Sequence, residues 1–247
     1  MELVHYVLDQ EVCSLVLDSQ HNRNALSRQL VAELLDGLER ADAAPAVKAV
    51  VIRHAGPVFC SGADLSEAAS ADRQEAPRTM VELQRRIAEL SKPVVTRISG
   101  AVRAGGIGIV GASDISIAAT DATFALTEVR LGLAPAVISL SLLPRMHPRD
   151  ASYTFLTGET FTGSDAAAYG LVTRAVSSGD LDAEVERVCA ALVKAHPQGL
   201  RETKKLLGHG LRSYLEVRGE AMAELSAHLF ASDAAREAML AFLGRKK

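Results

Sequence analysis

GAVRAGGIGIVGASDI (100–115) and, upstream of it, FCSGADL (59–65) are the two glycine-bearing runs on which the reading of this chain turns. Each follows a β-like apolar run, KPVVTRIS (92–99) before the former and VKAVVIRH (47–54) before the latter, and each opens into a segment able to form helix. A glycine at a strand-to-helix turn frees backbone N–H groups, and the N-terminal end of a helix adds positive partial charge there. Two such turns facing one another make a pocket for a developing negative oxygen, the oxyanion-hole arrangement of acyl chemistry.

Outward from these runs the chain reads as alternating strand and helix. LVHYVLD (3–9) and VCSLVLD (12–18) alternate around Gln10-Glu11 as an opening hairpin. Ser27 is placed to N-cap an amphipathic helix to about Ala43, with Leu30, Leu34, Leu35 and Leu38 at helical spacing. VKAVVIR (47–53) is a valine-rich strand suited to a sheet covered on both faces. Residues 66–78 are small and polar and read as a loop or frayed helix able to act as a lid, followed by a helix from about Thr79 to Leu90. Further strands are expected at PVVTRIS (93–99), DISIAAT (114–120), TFALTEV (123–129) and LVTRAV (171–176), with helices near 136–157 and 163–170. From Leu181 the pattern is helical, in four stretches at 181–195, 199–208, 213–230 and 233–243. Leu211, Leu215, Met222, Leu225, Leu229 and Phe230 are more apolar surface than one helix hides, so this tail packs on the core or on a second subunit.

Composition narrows the function classes. The 247 residues suffice for a well-buried core, and a net charge of −3 gives no electrostatic footprint for nucleic acid or an acidic membrane. The basic tail Arg245-Lys246-Lys247 reads as a solvated end. Cys13, Cys60 and Cys189 are odd in number and without C-x-x-C spacing, which fits a reducing compartment rather than a disulfide or zinc framework. No signal-peptide pattern follows Met1, and no run approaches the roughly 18 apolar residues of a membrane span. The expectation is a soluble, cytoplasmic protein.

GIGIVG (106–111) matches the dinucleotide fingerprint G-x-G-x-x-G, but its strand ends several residues before Gly106 and it lies mid-chain, so its glycines read as helix-packing positions. Phosphate-loop, zinc-protease and nucleophile-elbow motifs are absent from the sequence. The histidines are scattered, and only His54, at a strand end, stands near a candidate turn.

RNAL (23–26), FCSGADL (59–65), SGAVRAGG (99–106), SDISIAATDATFALTEVRLGLAP (113–135) and LTGETFTGSDAAAYGLV (156–172) together resemble the enoyl-CoA hydratase/isomerase (crotonase) family, from about Val4 to Lys247. The resemblance implies an α/β fold, a spiral of repeated ββα units over 1–190 followed by a C-terminal helical, trimerisation region over 191–247. It implies an acyl-CoA thioester substrate, no cofactor beyond the coenzyme A the substrate carries, no metal, and assembly as a homotrimer or dimer of trimers. Carried over residue by residue, the backbone N–H groups of Ala63 and Gly105 hold the thioester oxygen, and Glu128 is the catalytic glutamate. Arg23 matches a position that contacts CoA phosphates, and Ala25, Asp64 and Leu65 fall in the substrate-binding set. Read from local spacing, Asp64 is also a helix N-cap with Glu67 as its capping-box partner, and Arg23 an exposed loop cation.

Glu128 sits beside Phe124, Leu126 and Val129, an apolar setting that raises a carboxyl pKa toward the range for proton shuttling at Cα. The second glutamate of two-carboxylate hydratases would fall at position 108, where this chain has Gly108. Position 136, a nucleophilic aspartate in related aryl-CoA dehalogenases, is Ala136. One carboxylate suits a Δ3–Δ2 isomerase. The string TEVRLGLAPAVIS (127–139) with Gly108 instead resembles a branched-chain hydratase subgroup that includes methylglutaconyl- and isohexenylglutaconyl-CoA hydratases. The expectation is therefore a lyase of lipid or fatty-acid metabolism that hydrates a 2-enoyl-CoA with Glu128 alone. An isomerase is the alternative, and a non-catalytic acyl-CoA-binding protein the second alternative.

Overall fold

The alternation at the start of the chain folds as a hairpin, β1 (Val4–Asp9) antiparallel to β2 (Val12–Leu17), in a computed structural model that describes residues 1–64, 67 and 75–244. Ser27 caps α1 (Arg28–Ala43), its hydroxyl accepting from the Leu30 N–H at 3.2 Å. Leu30, Leu34 and Leu38 go fully into the core from that helix. The valine-rich run becomes β3 (Ala49–His54), and β5 (Val94–Ile98), β7 (Ile115–Ala119) and β10 (Arg174–Val176) extend the same sheet. Its order is β1-β2-β3-β5-β7-β10, parallel from β2 onward. α1 lies against β1 and β2, and α7 (Leu181–Val193) packs against β3, β5 and β7. Cover on both faces explains the near-continuous apolar character of these strands.

A second, smaller sheet takes up the strand expected from Thr123 and adds three that the sequence pattern does not show. It is built from β4 (Val58–Cys60), β6 (Ala101–Arg103), β8 (Thr123–Ala125) and β9 (Phe161–Thr162), in that order. β4, β6 and β8 run parallel, and β9 pairs antiparallel with β8. The glycine turns thus follow these three-residue strands rather than the long runs VKAVVIRH and KPVVTRIS directly. Phe59 and Phe124 are fully buried, and Phe124 stacks on Phe161 with ring centroids 5.5 Å apart.

Four further expectations are corrected. The helical stretch near 136–157 is two helices, Ala136–Leu142 and Pro148–Thr157, the second opened by a proline that cannot continue the first. The strand read at 123–129 stops at Ala125, and Thr127–Leu131 is a 3-10 turn. The helix expected from Thr79 is α2 (Glu75–Glu89), which starts a turn earlier because Pro77 falls in the first turn, where a missing N–H costs nothing. The stretches 199–208 and 213–230 form one helix, α8 (Pro197–Phe230), which runs through Gly208 and Gly210. Burial of Leu211 and Leu215 against Ala88 and Leu140 outweighs the helix cost of two glycines, about 1 kcal/mol each. The lid read at 66–78 lies outside the described residues apart from Glu67 and the start of α2.

α3 (Gly105–Ala112), α4 (Ala136–Leu142), α5 (Pro148–Thr157), α6 (Gly163–Ala168) and α9 (Asp233–Gly244) complete the chain. α8 packs across α2 and α4, so the helical C-terminal region rests on the core. It is tied there by Lys204, buried, whose ammonium lies 2.7 Å from the Asp114 carboxylate and donates to the Ile87 and Lys92 carbonyls. Among the described residues no helix is long and apolar enough to cross a membrane.

Candidate active site

Three adjacent parallel strands deliver three of the candidate residues to one end of the small sheet. β4 leads to Ala63, β6 to Gly105 and β8 to Glu128, with registers Val58↔Ala101 and Val102↔Phe124. At about 4.8 Å per strand, Glu128 belongs to a strand roughly 10 Å from that of Ala63.

The first turn passes through Gly62 at φ +98, a conformation open to glycine, and enters Ala63. Its Leu26–Ala63 bridge is a single parallel pairing in which the Leu26 N–H donates to the Gly62 carbonyl at 2.8 Å. Ser61 adds an N–H to the Arg23 carbonyl (3.1 Å) and a hydroxyl to the Asn22 carbonyl (3.0 Å). The second turn bends at Ala104, φ 47 and ψ −121, and Gly105 begins α3. The turns abut: a Cβ placed on Gly62 would lie 3.1 Å from the Ala104 Cβ. Neither the Ala63 nor the Gly105 N–H meets an acceptor among the described residues. Two free amides on facing turns, one at a helix start, suit a developing oxyanion.

Glu128 lies in the 3-10 turn after β8, closed by Gly132 at φ +70, whose N–H returns to the Glu128 carbonyl. The ends of α5 and α9 brace that turn, with Gly158 against the Leu126 carbonyl and Gly132 against Ala234. Phe124 and Leu126 are buried while Val129 faces out. Burial pushes the Glu128 carboxyl up to about 7, with only its own backbone N–H acting the other way. Its Oε2 is buried without a hydrogen-bond partner among the described residues. A carboxyl poised there exchanges a proton readily near neutral pH.

Arg23 and Ala25 come from the turn ahead of α1. Arg23 is exposed at φ 59, its guanidinium without a polar partner among the described residues, and Ala25 is buried. Asn24 locks that turn, accepting from the Ser19 N–H (2.6 Å) and donating to the carbonyls of Val58 (2.7 Å) and Ala55 (3.3 Å). Asp64 accepts from the Asn22 carboxamide at 2.9 Å, and its carbonyl accepts the Glu67 N–H. The Glu67 carboxylate accepts the Arg28 N–H at 2.9 Å, so it serves the N-terminus of α1. Leu65 and the helix expected after Asp64 lie outside the described residues.

GIGIVG lies within α3, where its glycines admit close neighbours: a Cβ on Gly106 would meet Cys60, and one on Gly111 Ser141 and Leu142. Position 108 is closed. A Cβ on Gly108 would lie 2.9 Å from Ile138 Cγ2 and 3.4 Å from the Gln84 carboxamide. Gln84 is fully buried, donating to the Val137 and Met80 carbonyls and accepting from Ser141 Oγ. The sequence does carry a signal for it, a polar residue on the stripe Met80, Leu83, Gln84, Ile87. His54 is a core residue. Burial, and then the Arg97 charge, push it down to about 4, and its Nε2 lies 3.0 Å from Ser99 Oγ.

A layered α/β scaffold presenting two free amides and one buried carboxyl at the carboxyl ends of parallel strands defines a class of acyl-transfer or proton-transfer site. The sequence model of the enoyl-CoA hydratase/isomerase family matches residues 8–247, and the chain belongs to that family. An enoyl-CoA hydratase structure from Mycobacterium avium is 44% identical and superposes with a TM-score of 0.93, covering 98% of this chain and 96% of its own. Mevalonyl-coenzyme A hydratase of Aspergillus fumigatus is 30% identical over 94% of this chain and 88% of its own length. The peroxisomal Delta(3,5)-Delta(2,4)-dienoyl-CoA isomerase of Arabidopsis thaliana is 28% identical over 100% of this chain and 95% of its own length. Hydratases and isomerases of CoA thioesters thus stand side by side among the relatives, and the structure has the family's crotonase fold with its C-terminal helical region.

Proposed function

We propose that the chain hydrates a 2-enoyl-CoA thioester with Glu128 as its one proton shuttle. The observation that carries this reading is the Glu128 carboxyl, pushed up to about 7 by burial, its Oε2 without a hydrogen-bond partner among the described residues, at the same end of the small sheet as two free amides. In this reading the carboxylate takes a proton from water as the water oxygen bonds to Cβ, and the electron pair moves to the thioester oxygen. The N–H groups of Ala63 and Gly105 hold that oxygen, a contribution of about 10²–10³ in rate per donor. Glu128 then returns the same proton to Cα and the thioester re-forms. Arg23, Ala25, Asp64 and Leu65 bind the coenzyme A portion and acyl entrance, and no further cofactor or metal takes part. The hydratases among the relatives support hydration over isomerisation. The string TEVRLGLAPAVIS with Gly108 is what points to branched acyl groups bearing a distal carboxylate as the substrates.

The closed position 108 favours a second reading, proton transfer from Cα to Cγ of a 3-enoyl-CoA, which asks for no water-orienting group. A purely acyl-CoA-binding protein is disfavoured, because burying the Glu128 carboxyl with one oxygen unsatisfied costs stability and gives a binder nothing. We also propose that exposed Leu206, Leu207 and Val217 of α8 contribute to a trimer or hexamer interface. Purified protein offered 2-enoyl- and 3-enoyl-CoA thioesters, with products identified, tests the assignment. Hydration predicts 3-hydroxyacyl-CoA from at least one 2-enoyl substrate; interconversion of enoyl isomers alone would replace it with the second reading. Glu128→Gln is expected to lower turnover by orders of magnitude while acyl-CoA affinity stays.

A further inference from the structure

We infer that Leu26 is the positioning residue that sets both the aim and the spacing of the two amides, an inference that rests on reading Ala63 and Gly105 as oxyanion donors. The Ala63 N–H and the Gly62 carbonyl belong to one planar peptide unit and point in opposite directions. The Leu26 N–H holds that carbonyl at 2.8 Å, so it fixes the plane and aims the Ala63 N–H away from Leu26. A hydrogen bond at the carbonyl end also polarises the unit and strengthens the donor at the other end.

The Leu26 side chain reaches the second turn. A Cβ placed on Gly105 would lie 2.6 Å from Leu26 Cδ1, so a Leu26 methyl rests on the Gly105 Cα. One residue, nine per cent exposed, therefore touches both turns, by its backbone on one side and its side chain on the other. Its own place is fixed from both flanks, by the three hydrogen bonds of the Asn24 side chain and by the Ser27 cap of α1. Ala104 shows that the arrangement is under tension, since φ 47 with ψ −121 is a backbone well that non-glycine residues rarely occupy. Leu26 braces the residue directly after it.

Two variants separate the contributions. Leu26→Ala keeps the N–H and removes the spacer, and an ester bond introduced at residue 26 as leucic acid keeps the spacer and removes the N–H. The readouts are kcat, KM and the infrared carbonyl stretch of bound butyryl-CoA carrying ¹³C at C1, a saturated thioester that cannot react. Each variant is expected to lose about 10²-fold in kcat, the effect of a misplacement near 1 Å, with KM changed less than about threefold. The thioester stretch, lowered on binding to the wild type, is expected to move back toward its free value in both, and Leu26→Met to restore it. Full retention of the wild-type shift and kcat in Leu26→Ala and in the ester variant overturns the role of Leu26. A wild type that leaves the stretch unshifted overturns the oxyanion reading itself. If Leu26→Ala fails to fold, the ester variant and Leu26→Val carry the same comparison, and unchanged shift and kcat in those two overturn the inference.

Discussion

Replacing Glu128 by glutamine should make the protein more stable at alkaline pH while abolishing its chemistry. Burial raises the folded carboxyl from its ordinary 4.5 to about 7. Below pH 4.5 the group is protonated in both states and contributes no pH dependence. As pH rises the unfolded chain ionises first, so this group removes stability progressively up to the folded value and no further. Over the full interval the loss is about 3 kcal/mol, and between pH 5 and pH 8 about 2.5 kcal/mol. Glutamine cannot ionise, so Glu128→Gln escapes that loss. Its carboxamide brings a donor to a place where Oε2 has no partner, a pH-independent cost of about 1 kcal/mol. The difference in unfolding free energy between variant and wild type should therefore shift by about 2.5 kcal/mol in favour of the variant from pH 5 to pH 8, equivalent to roughly 5–10 °C in Tm. Denaturant titrations at fixed protein concentration across that range measure it. A difference that stays constant with pH would refute the raised carboxyl, and with it the role of burial in tuning Glu128.

Further outcomes follow from packing and charge. Gly100→Ala should cost more than about 3 kcal/mol, since its Cβ would stand 2.0 Å from the Pro57 carbonyl oxygen, and denaturant midpoints would show it. Lys204→Ala should cost about 3 kcal/mol, because it strips the Ile87 and Lys92 carbonyls and the Asp114 carboxylate of their shared donor, as thermal unfolding would record. All three cysteines are buried, with Cys60 pushed up to about 12 and Cys189 to about 11, so a thiolate reagent should label none of them until the protein unfolds.

The hairpin, α1 and the strands β3, β5 and β7 were legible because each spans enough residues to show a period. Val58–Cys60 and Ala101–Arg103 were not, since three residues carry no periodicity and run straight into the glycine turns. Those unread strands lead to Ala63 and Gly105 and pair beside β8, which leads to Glu128, so the sequence named candidates whose common origin only the fold displays. The gap expected between 208 and 213, where Gly208 and Gly210 stand, misled in the other direction, since packing against α2 and α4 keeps the helix continuous. The setting of Glu128 could be anticipated from Phe124 and Leu126, but its 3-10 turn depends on Gly132 and on the distant α9. Leu26 gave no sign of its part, because reaching Gly105 is a contact across 79 positions of sequence.

Gly108 has a consequence for how such sites diversify. A carboxylate at 108 does not fit by one substitution as the site stands, because Ile138 crowds the place of its Cβ and the fully bonded Gln84 lies beside it. Shrinking Ile138 first leaves a cavity costing about 2–5 kcal/mol, and introducing the glutamate first overpacks the same place. The one-carboxylate and two-carboxylate versions of this scaffold are thus separated by intermediates that are each worse than either end. That valley in sequence space gives the choice of chemistry an inertia that the reacting groups alone do not explain.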